Sequence, residues 1–135
     1  MPVDDHKKTV ARSCLEGAEG DAMTFPQIVG TLMREGFDSY AIDFRRAVAT
    51  YYLPDGDSVE LPTHKVDVPI APTFDVAPVQ AAIKEARRRA PDYTYKGFCK
   101  KVASAGCAGY IVSFSGRRAL YIGRTAETHV EHFPN

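Results

Sequence analysis

The chain has 135 residues, of which 44% are hydrophobic and 25% are charged, and its formal net charge at pH 7 is zero. These values match an ordinary soluble globular protein of one domain, residues 1–135. The apolar runs are far shorter than the roughly 20 residues of a membrane-spanning helix, and the chain starts with no basic-then-apolar leader. We therefore expect no membrane contact and a cytoplasmic location.

Three cysteines are present, Cys14, Cys99 and Cys107. Their number is odd and no Cys-x-x-Cys pair occurs, which argues against a disulfide scaffold and against a structural zinc site. Cys99 and Cys107 lie at apolar positions, so we interpret them as buried structural thiols. We predict no metal site and no cofactor.

The zero net charge hides an asymmetry between the two halves. Residues 1–70 carry seven Lys and Arg against twelve Asp and Glu, net −5, whereas residues 71–135 carry ten against five, net +5. One interpretation is a basic surface for nucleic acid or another polyanion. The other, which we favour, is that the halves attract each other within one chain or attract a second copy in a homo-oligomer. We favour it because a nucleic-acid domain usually has a basic overall balance.

In chain order, the pattern predicts a helix over about 4–16 and then a capping box at Thr24–Gln27 that begins a second helix. Gly36 is the left-handed residue expected at the end of that helix. Alternation of apolar residues then predicts a strand at 40–44, a turn at 46–48, a strand at 49–53 and a third strand near 58–61.

The second half repeats these signals. Asp75 is a plausible N-cap for one helix, Thr94 begins another and Gly106 ends it. Strands are expected at 110–114, 118–122 and 127–132, with a turn at 115–117. Residues 66–73 are proline-punctuated and suit an extended tether.

An internal repeat accounts for this order of elements. Four residues of the first half recur 70 positions later in the second half: Thr24, Gly36, Tyr40 and Phe44. Tyr52 is matched to Tyr121 at a shift of 69, and we place this one-residue difference in the hairpin between the first two strands. The repeats span about 3–65 and 73–133. We predict an α+β fold in which a duplicated helix-helix-strand-strand-strand unit forms a pseudo-twofold antiparallel sheet packed on helices.

Several motifs spread along the chain resemble the YbcV-like bacterial proteins. They are Thr24-Phe-Pro, Tyr51-Tyr-Leu-Pro-Asp-Gly56, Tyr95-Lys-Gly-Phe-Cys99, Ala105-Gly-Cys-Ala-Gly-Tyr110, Ser113-Phe-Ser-Gly116 and Thr128-His-Val-Glu-His-Phe-Pro134. The resemblance implies a domain of unknown function, which is sometimes labelled a phage envelope protein. It implies no reaction and no catalytic residues.

No standard catalytic signature is present, so an enzyme would have to be assembled from single residues. The candidates are His129 as acid/base, Glu127 or Glu131 to orient it, and Tyr121 as a donor. The alternative, which we favour, is an exposed terminal strand of alternating charge. We assign no residue as catalytic.

A second candidate is the polar face of the sheet. If the alternating apolar residues face the core, the opposite face collects Asp43, Arg45, Tyr52, Ser113, Tyr121 and His129. These groups could bind a small molecule or a protein, although an ordinary solvated sheet face is the simpler interpretation. We therefore expect a binding or regulatory module that uses this face or the seam between the repeats; the alternatives are a small enzyme and a polyanion-binding protein.

Overall fold

The computed structural model describes residues 4–134, in which ten elements follow the predicted order. The first half contains α1 (Asp5–Glu19), α2 (Phe25–Arg34), β1 (Ser39–Asp43), β2 (Val48–Tyr52) and β3 (Ser58–Pro62). The second half contains α3 (Val76–Arg87), α4 (Tyr95–Ser104), β4 (Cys107–Ser113), β5 (Arg118–Gly123) and β6 (Thr128–His132). The fold is therefore α+β, as predicted.

The helix boundaries follow from local hydrogen bonds. At α2, the backbone N–H of Gln27 donates to Thr24 Oγ1 while the Gln27 side chain accepts from the Thr24 N–H, which completes the capping box. Asp4, Asp75 and Thr94 cap the other three helices. The first helix extends three residues beyond the predicted Glu16 because Gly20, rather than an earlier residue, supplies its C-cap.

One continuous antiparallel sheet joins the two halves, with strand order β3-β2-β1-β4-β5-β6. The seam between the halves is the β1–β4 pair, in which Ala41 lies opposite Ile111. From the seam outward, the strands follow in chain order on both sides, β1, β2, β3 on one side and β4, β5, β6 on the other. Each half therefore contributes a three-stranded meander to one sheet.

The four helices pack on one face of the sheet, and we call this the covered face. Its strands contribute Tyr40, Ile42, Ala49, Tyr51, Val59, Leu61, Tyr110, Val112, Ala119 and Tyr121 to the core. Helix side chains such as Leu32, Val79 and Val102 complete the same cluster. Phe25, in the first turn of α2, remains exposed and contacts Phe133 at 5.4 Å between ring centroids.

Aromatic pairs in the core have matching geometry in the two halves. Tyr40 and Tyr51 have centroids 5.5 Å apart at 31°, and Tyr110 and Tyr121 have centroids 5.4 Å apart at 34°. Across the seam, both Tyr40–Phe114 and Phe44–Tyr110 are 6.1 Å apart. These pairs are related by the 70-residue shift.

The structure corrects the predicted hairpins. Both turns have four residues, 44–47 and 114–117, and β2 begins at Val48 rather than Ala49. The hairpins have equal length, so the one-residue change of shift placed there is wrong. Tyr121 corresponds to Tyr51, and not to Tyr52, because Tyr51 pairs with Tyr40 as Tyr121 pairs with Tyr110.

The segment between the halves lies against the core. Val66, Val68 and Ile70 are partly buried there. The backbone N–H of Asp75 donates to the Ala105 carbonyl at 2.7 Å, which fixes the start of α3 beside the end of α4. Within residues 4–134, none of the helices has the length and apolar character needed to cross a membrane.

Candidate functional site

The second face of the sheet, which we call the uncovered face, has no helix or strand of residues 4–134 packed on it. Strand register arranges its side chains in three rows across the sheet. The central row contains Glu60, Thr50, Ala41, Ile111, Leu120 and Val130. The first half of this row is polar or small, and the second half is aliphatic.

Exposed apolar side chains are concentrated on this face. Tyr52, Ile111 and Val130 are among the few large apolar residues that remain exposed, and Leu120 and Ile122 are half-buried beside them. Contiguous exposed apolar groups on a folded protein mark interaction surfaces more often than single exposed ones do. The uncovered face therefore has the composition of a contact surface.

A cleft of about 230 Å³ lies on the uncovered face at the seam between the halves. Ala41 and Gly109 provide a floor almost free of side chains, and Tyr52, Ile111 and Ile122 are among its walls. A Cβ at Gly109 would lie 2.4 Å from the Ile42 carbonyl oxygen, so this position requires glycine. An engineered cavity of about 150 Å³ binds benzene, so this cleft has room for one large apolar side chain.

One end of the cleft is cationic. Arg45 and Arg46 both line it, and Asp43 is the carboxylate beside them. Asp43 Oδ1 accepts from the backbone N–H groups of Arg45 at 2.9 Å and Arg46 at 3.1 Å, which holds the hairpin turn. Arg46 reaches Glu60 only at 3.5 Å, with both side chains more than half exposed.

Three of the six residues predicted for the polar face, Asp43, Arg45 and Tyr52, line this cleft. Ser113 lies on the same face but outside the cleft. Its Oγ accepts from the Gly116 backbone N–H at 3.0 Å and so holds the second hairpin, as Asp43 holds the first.

Tyr121 and His129 lie on the covered face, so their predicted position beside Tyr52 is wrong. Tyr121 is 7% exposed, whereas Tyr52 is 39% exposed. The error follows from strand parity: Tyr121 occupies the position of Tyr51, and a shift of one residue moves a side chain to the opposite face. His129 pairs with Tyr121 in the register and shares its face.

The structure does bring together three of the four residues considered for catalysis. His129 Nε2 lies 3.2 Å from Glu131 Oε1, and the His129 and Tyr121 rings have centroids 6.5 Å apart. Glu127 is exposed and accepts instead from the Thr125 hydroxyl at 2.7 Å. Burial raises the pKa of the Tyr121 phenol well above its usual range, so this group stays protonated at neutral pH.

The Glu131 carboxylate also has a structural partner. Its Oε2 lies 2.8 Å from Arg87 Nη2, and the same nitrogen donates to the His132 carbonyl at 2.6 Å. These contacts attach β6, an edge strand, to the last turn of α3. The cluster therefore stabilises the edge of the sheet.

The basic residues of the second half do not form one free patch. Lys101 pairs with Glu85 at 3.0 Å, and Lys100 lies 3.7 Å from Asp67. Arg117 and Arg124 donate to the carbonyls of Pro134 and Ile70. Arg118 is the first residue of β5 and Arg124 follows its last residue, so these two cations lie at opposite ends of the strand.

The cysteines lie in the core, as their apolar positions predict. Burial raises the pKa of Cys99 to about 12 and that of Cys107 to about 11, which keeps both thiols protonated and poorly nucleophilic at neutral pH. Among residues 4–134, no group of three or more His, Cys, Asp or Glu side chains could hold a metal ion.

Sequence reasoning missed the floor and the aliphatic walls of the cleft. None of the four residues concerned has a hydrogen-bonding side chain, so the polar pattern of the sequence does not indicate them. They are Ala41, Gly109, Ile111 and Ile122. With a constant shift of 70 residues, Ile122 is the repeat equivalent of Tyr52, and Ile111 is the repeat equivalent of Ala41.

Comparison with known proteins gives a family but no activity. The profile of DUF1398, described as a protein of unknown function, matches residues 16–131. The chain belongs to the DUF1398 family. The expectation of a family of unknown function is confirmed. No curated protein matches the chain, so no activity of a relative bears on the cleft of this DUF1398 protein.

Proposed function

We propose that this DUF1398 protein is a protein-binding module whose uncovered sheet face receives another protein. The observation that carries the proposal is the cleft at the seam, flanked by the aliphatic half of the central row. Interfaces usually depend on a few large side chains that enter well-packed pockets, surrounded by weaker contacts. A cleft for one side chain beside Ile111, Leu120 and Val130 has this arrangement.

A protein partner suits the site better than a free small molecule does. Pockets for drug-sized ligands usually have volumes of about 300–1,000 Å³ and enclose most of the ligand. The cleft is smaller and open, and the apolar surface continues from it along β4, β5 and β6. The extended contact surface thus favours a macromolecule.

A photo-crosslinking amino acid at position 111 tests this function in cells of the native host. We expect a covalent adduct of defined mass with another protein, and no such adduct when the crosslinker replaces Gln80, which is exposed on α3. Thr50→Arg, which fills the cleft, should abolish the adduct without lowering the urea midpoint by more than a surface substitution does. An adduct between two copies of this chain, or none at position 111, would contradict the proposal.

A second candidate function is a small enzyme that uses His129, oriented by Glu131 beside Tyr121. The 3.2 Å contact between His129 and Glu131 favours it. The engagement of Glu131 by Arg87 and the burial of Tyr121 favour a structural cluster instead. A His129→Gln variant that retains native stability but loses a turnover measured with the unmodified protein would support the enzyme.

Three further expectations remain proposals. The YbcV-like relationship rests on the motifs quoted above, and the phage label adds no chemistry to it. A cytoplasmic location rests on composition and cysteine usage. Oligomerisation through halves of opposite charge would appear as a salt-dependent mass in native mass spectrometry.

A further inference from the structure

The strands at the two edges of the sheet are β3 and β6, and β6 presents backbone groups that pair with no other strand. At one end of β6, the Gly123 N–H donates to the Glu127 carbonyl at 2.8 Å. At the other end, the Phe133 N–H donates to the Arg117 carbonyl at 2.9 Å, so the odd-numbered residues of β6 bond to β5. The even-numbered residues point their backbone groups away from the sheet, and within residues 4–134 their N–H groups have no acceptor: Thr128, Val130 and His132.

The opposite edge, β3, is blocked against a further strand. The same hydrogen-bond pattern directs Ser58, Glu60 and Pro62 outward, which are the equivalents of these three residues after the 70-residue shift. Pro62 has no N–H to donate, and proline on an edge strand prevents pairing. Two β3 strands paired about Glu60 would also place like charges opposite each other. An added strand is therefore disfavoured at β3, whereas β6 has no such obstacle.

The sequence of β6 is complementary to itself in the antiparallel direction. With Val130 opposite Val130 of a second copy, His129 lies opposite Glu131 and Thr128 lies opposite His132. Each imidazole then faces a carboxylate, and cross-strand pairs of this kind stabilise a sheet. A slip of two residues would place His129 opposite His129 or Glu131 opposite Glu131. The complementary register is thus also the one that pairs the whole of β6.

One side chain already contacts this edge. Arg87 Nη2 donates to the His132 carbonyl at 2.6 Å and lies 2.8 Å from Glu131 Oε2. A carbonyl oxygen has two lone pairs, so it can accept from a second donor. The Val130 N–H and carbonyl are not involved in this contact. Arg87 also holds Glu131 in the position from which its carboxylate would face His129 of a second copy.

We infer that the β6 edge binds β6 of a second copy, so that two chains pair about Val130 and their sheets become continuous. A twofold axis perpendicular to the sheet relates the copies, which places both uncovered faces on the same side. Strand β5 separates β4 from this edge, so the cleft stays open and Ile111 of one copy lies far from Ile111 of the other. The inference is therefore independent of the proposed function and is compatible with its crosslinking test.

Sedimentation equilibrium and amide hydrogen exchange of the full chain test this pairing. We expect a dimer whose population rises with protein concentration. Protection of the Val130 amide should rise with it, whereas the amide of Glu60, at the blocked edge, should exchange at the same rate throughout. Val130→Pro removes both hydrogen bonds on the twofold axis and should raise the dissociation constant of the dimer about tenfold or more. Glu60→Pro, the matched change at the equivalent position of β3, should leave this constant unchanged.

Val130→Glu is a second variant that keeps the backbone N–H. The Val130 side chain is exposed, so the substitution should leave the urea midpoint within the range of surface changes. It places two carboxylates opposite each other on the axis and should raise the dissociation constant about fivefold. Monomers at every concentration up to about 1 mM would overturn the inference. A dimer that both Val130 variants leave intact would overturn it as well, because its interface would then lie elsewhere on the molecule.

Discussion

Two glycines that end helices have the same backbone conformation but different surroundings. Gly36 and Gly106 adopt φ angles of +95° and +100°, as the sequence predicted. A Cβ at Gly36 would come no closer than 3.6 Å to Lys7 Nζ, whereas a Cβ at Gly106 would lie 2.1 Å from the Thr73 carbonyl oxygen. Any residue other than glycine would therefore have a strained backbone at both positions, but its Cβ would clash with neighbouring atoms only at Gly106.

We therefore expect Gly36→Ala to lower the free energy of unfolding by about 1 kcal/mol, the usual cost of a side chain in a left-handed conformation. Gly106→Ala should cost clearly more, because the tether backbone at Thr73 must move as well. Urea unfolding of both variants measures the difference. Equal midpoints would contradict the close approach of Thr73 to Gly106.

Tyr52 and Tyr121, which the sequence matched to each other and the structure places on opposite faces, give a second test at this scale. Tyr121→Ala should cost about 3–5 kcal/mol, because it removes a buried ring from the core, whereas Tyr52→Ala should stay within about 1 kcal/mol. Thermal or urea unfolding measures both. A larger loss for Tyr52→Ala than for Tyr121→Ala would reverse the assignment of the two faces.

At the scale of elements, the two central hairpins are built alike. The residue before each four-residue turn accepts from backbone N–H groups within the turn, Asp43 in the first and Ser113 in the second. The last turn residue in each is left-handed, with φ of +55° at Ala47 and +52° at Arg117. Asp43 and Ser113 therefore have the same structural role in their hairpins.

Replacement of Asp43 or Ser113 should lower the free energy of unfolding in proportion to the number of hydrogen bonds that each side chain accepts. Asp43→Ala loses two bonds to a charged acceptor and should cost about 1.5–3 kcal/mol, and Ser113→Ala loses one bond and should cost about 0.5–1.5 kcal/mol. Urea denaturation gives both values. The reverse order would show that the turn contacts do not dominate at these positions.

Most elements could be predicted because their signals are local. Thr24, Gln27 and Gly36 define α2 through contacts within a few residues, and the same holds for Thr94 and Gly106. The faces of β2 and β5 were harder, since Tyr51-Tyr52 and Leu120-Tyr121-Ile122 place apolar residues at adjacent positions and so leave parity open. The cleft could not be predicted, because its floor depends on the register of Ala41 against Ile111.

At the scale of the whole molecule, we infer that the chain arose by duplication, because equivalent tyrosine pairs have matching distances and angles in both halves. Superposition of residues 24–62 on 94–132 checks the inference. The outer surfaces of the halves differ: Thr50 corresponds to Leu120, and Glu60 corresponds to Val130. The shared interior maintains the fold, and the altered exterior makes the uncovered face asymmetric.

The interior also predicts the response to alkaline pH. Burial raises the pKa of Tyr40, Tyr51, Tyr95, Tyr110 and Tyr121. The folded state therefore keeps these protons to higher pH than the unfolded state, whose phenols ionise near a pKa of about 10. The stabilisation is complete below about pH 10 and is lost as the pH rises beyond it.

Urea midpoints measured between neutral pH and about pH 11 test this dependence. We expect them to fall above about pH 10 and to fall less steeply in Tyr121→Phe, which has one fewer ionisable group in the core. A midpoint that stays constant up to about pH 11 in the unmodified protein would contradict the burial of these phenols.

The seam between β1 and β4 has a kinetic consequence. The other four strand pairings join neighbours in sequence, but this one joins residues about 70 positions apart, so its formation requires closure of the longest loop. We expect the seam to form part of the folding barrier. Val112→Ala, in the seam strand, should slow refolding, whereas Val59→Ala, in edge strand β3, should mainly accelerate unfolding, as stopped-flow chevron plots of these two buried valines would show.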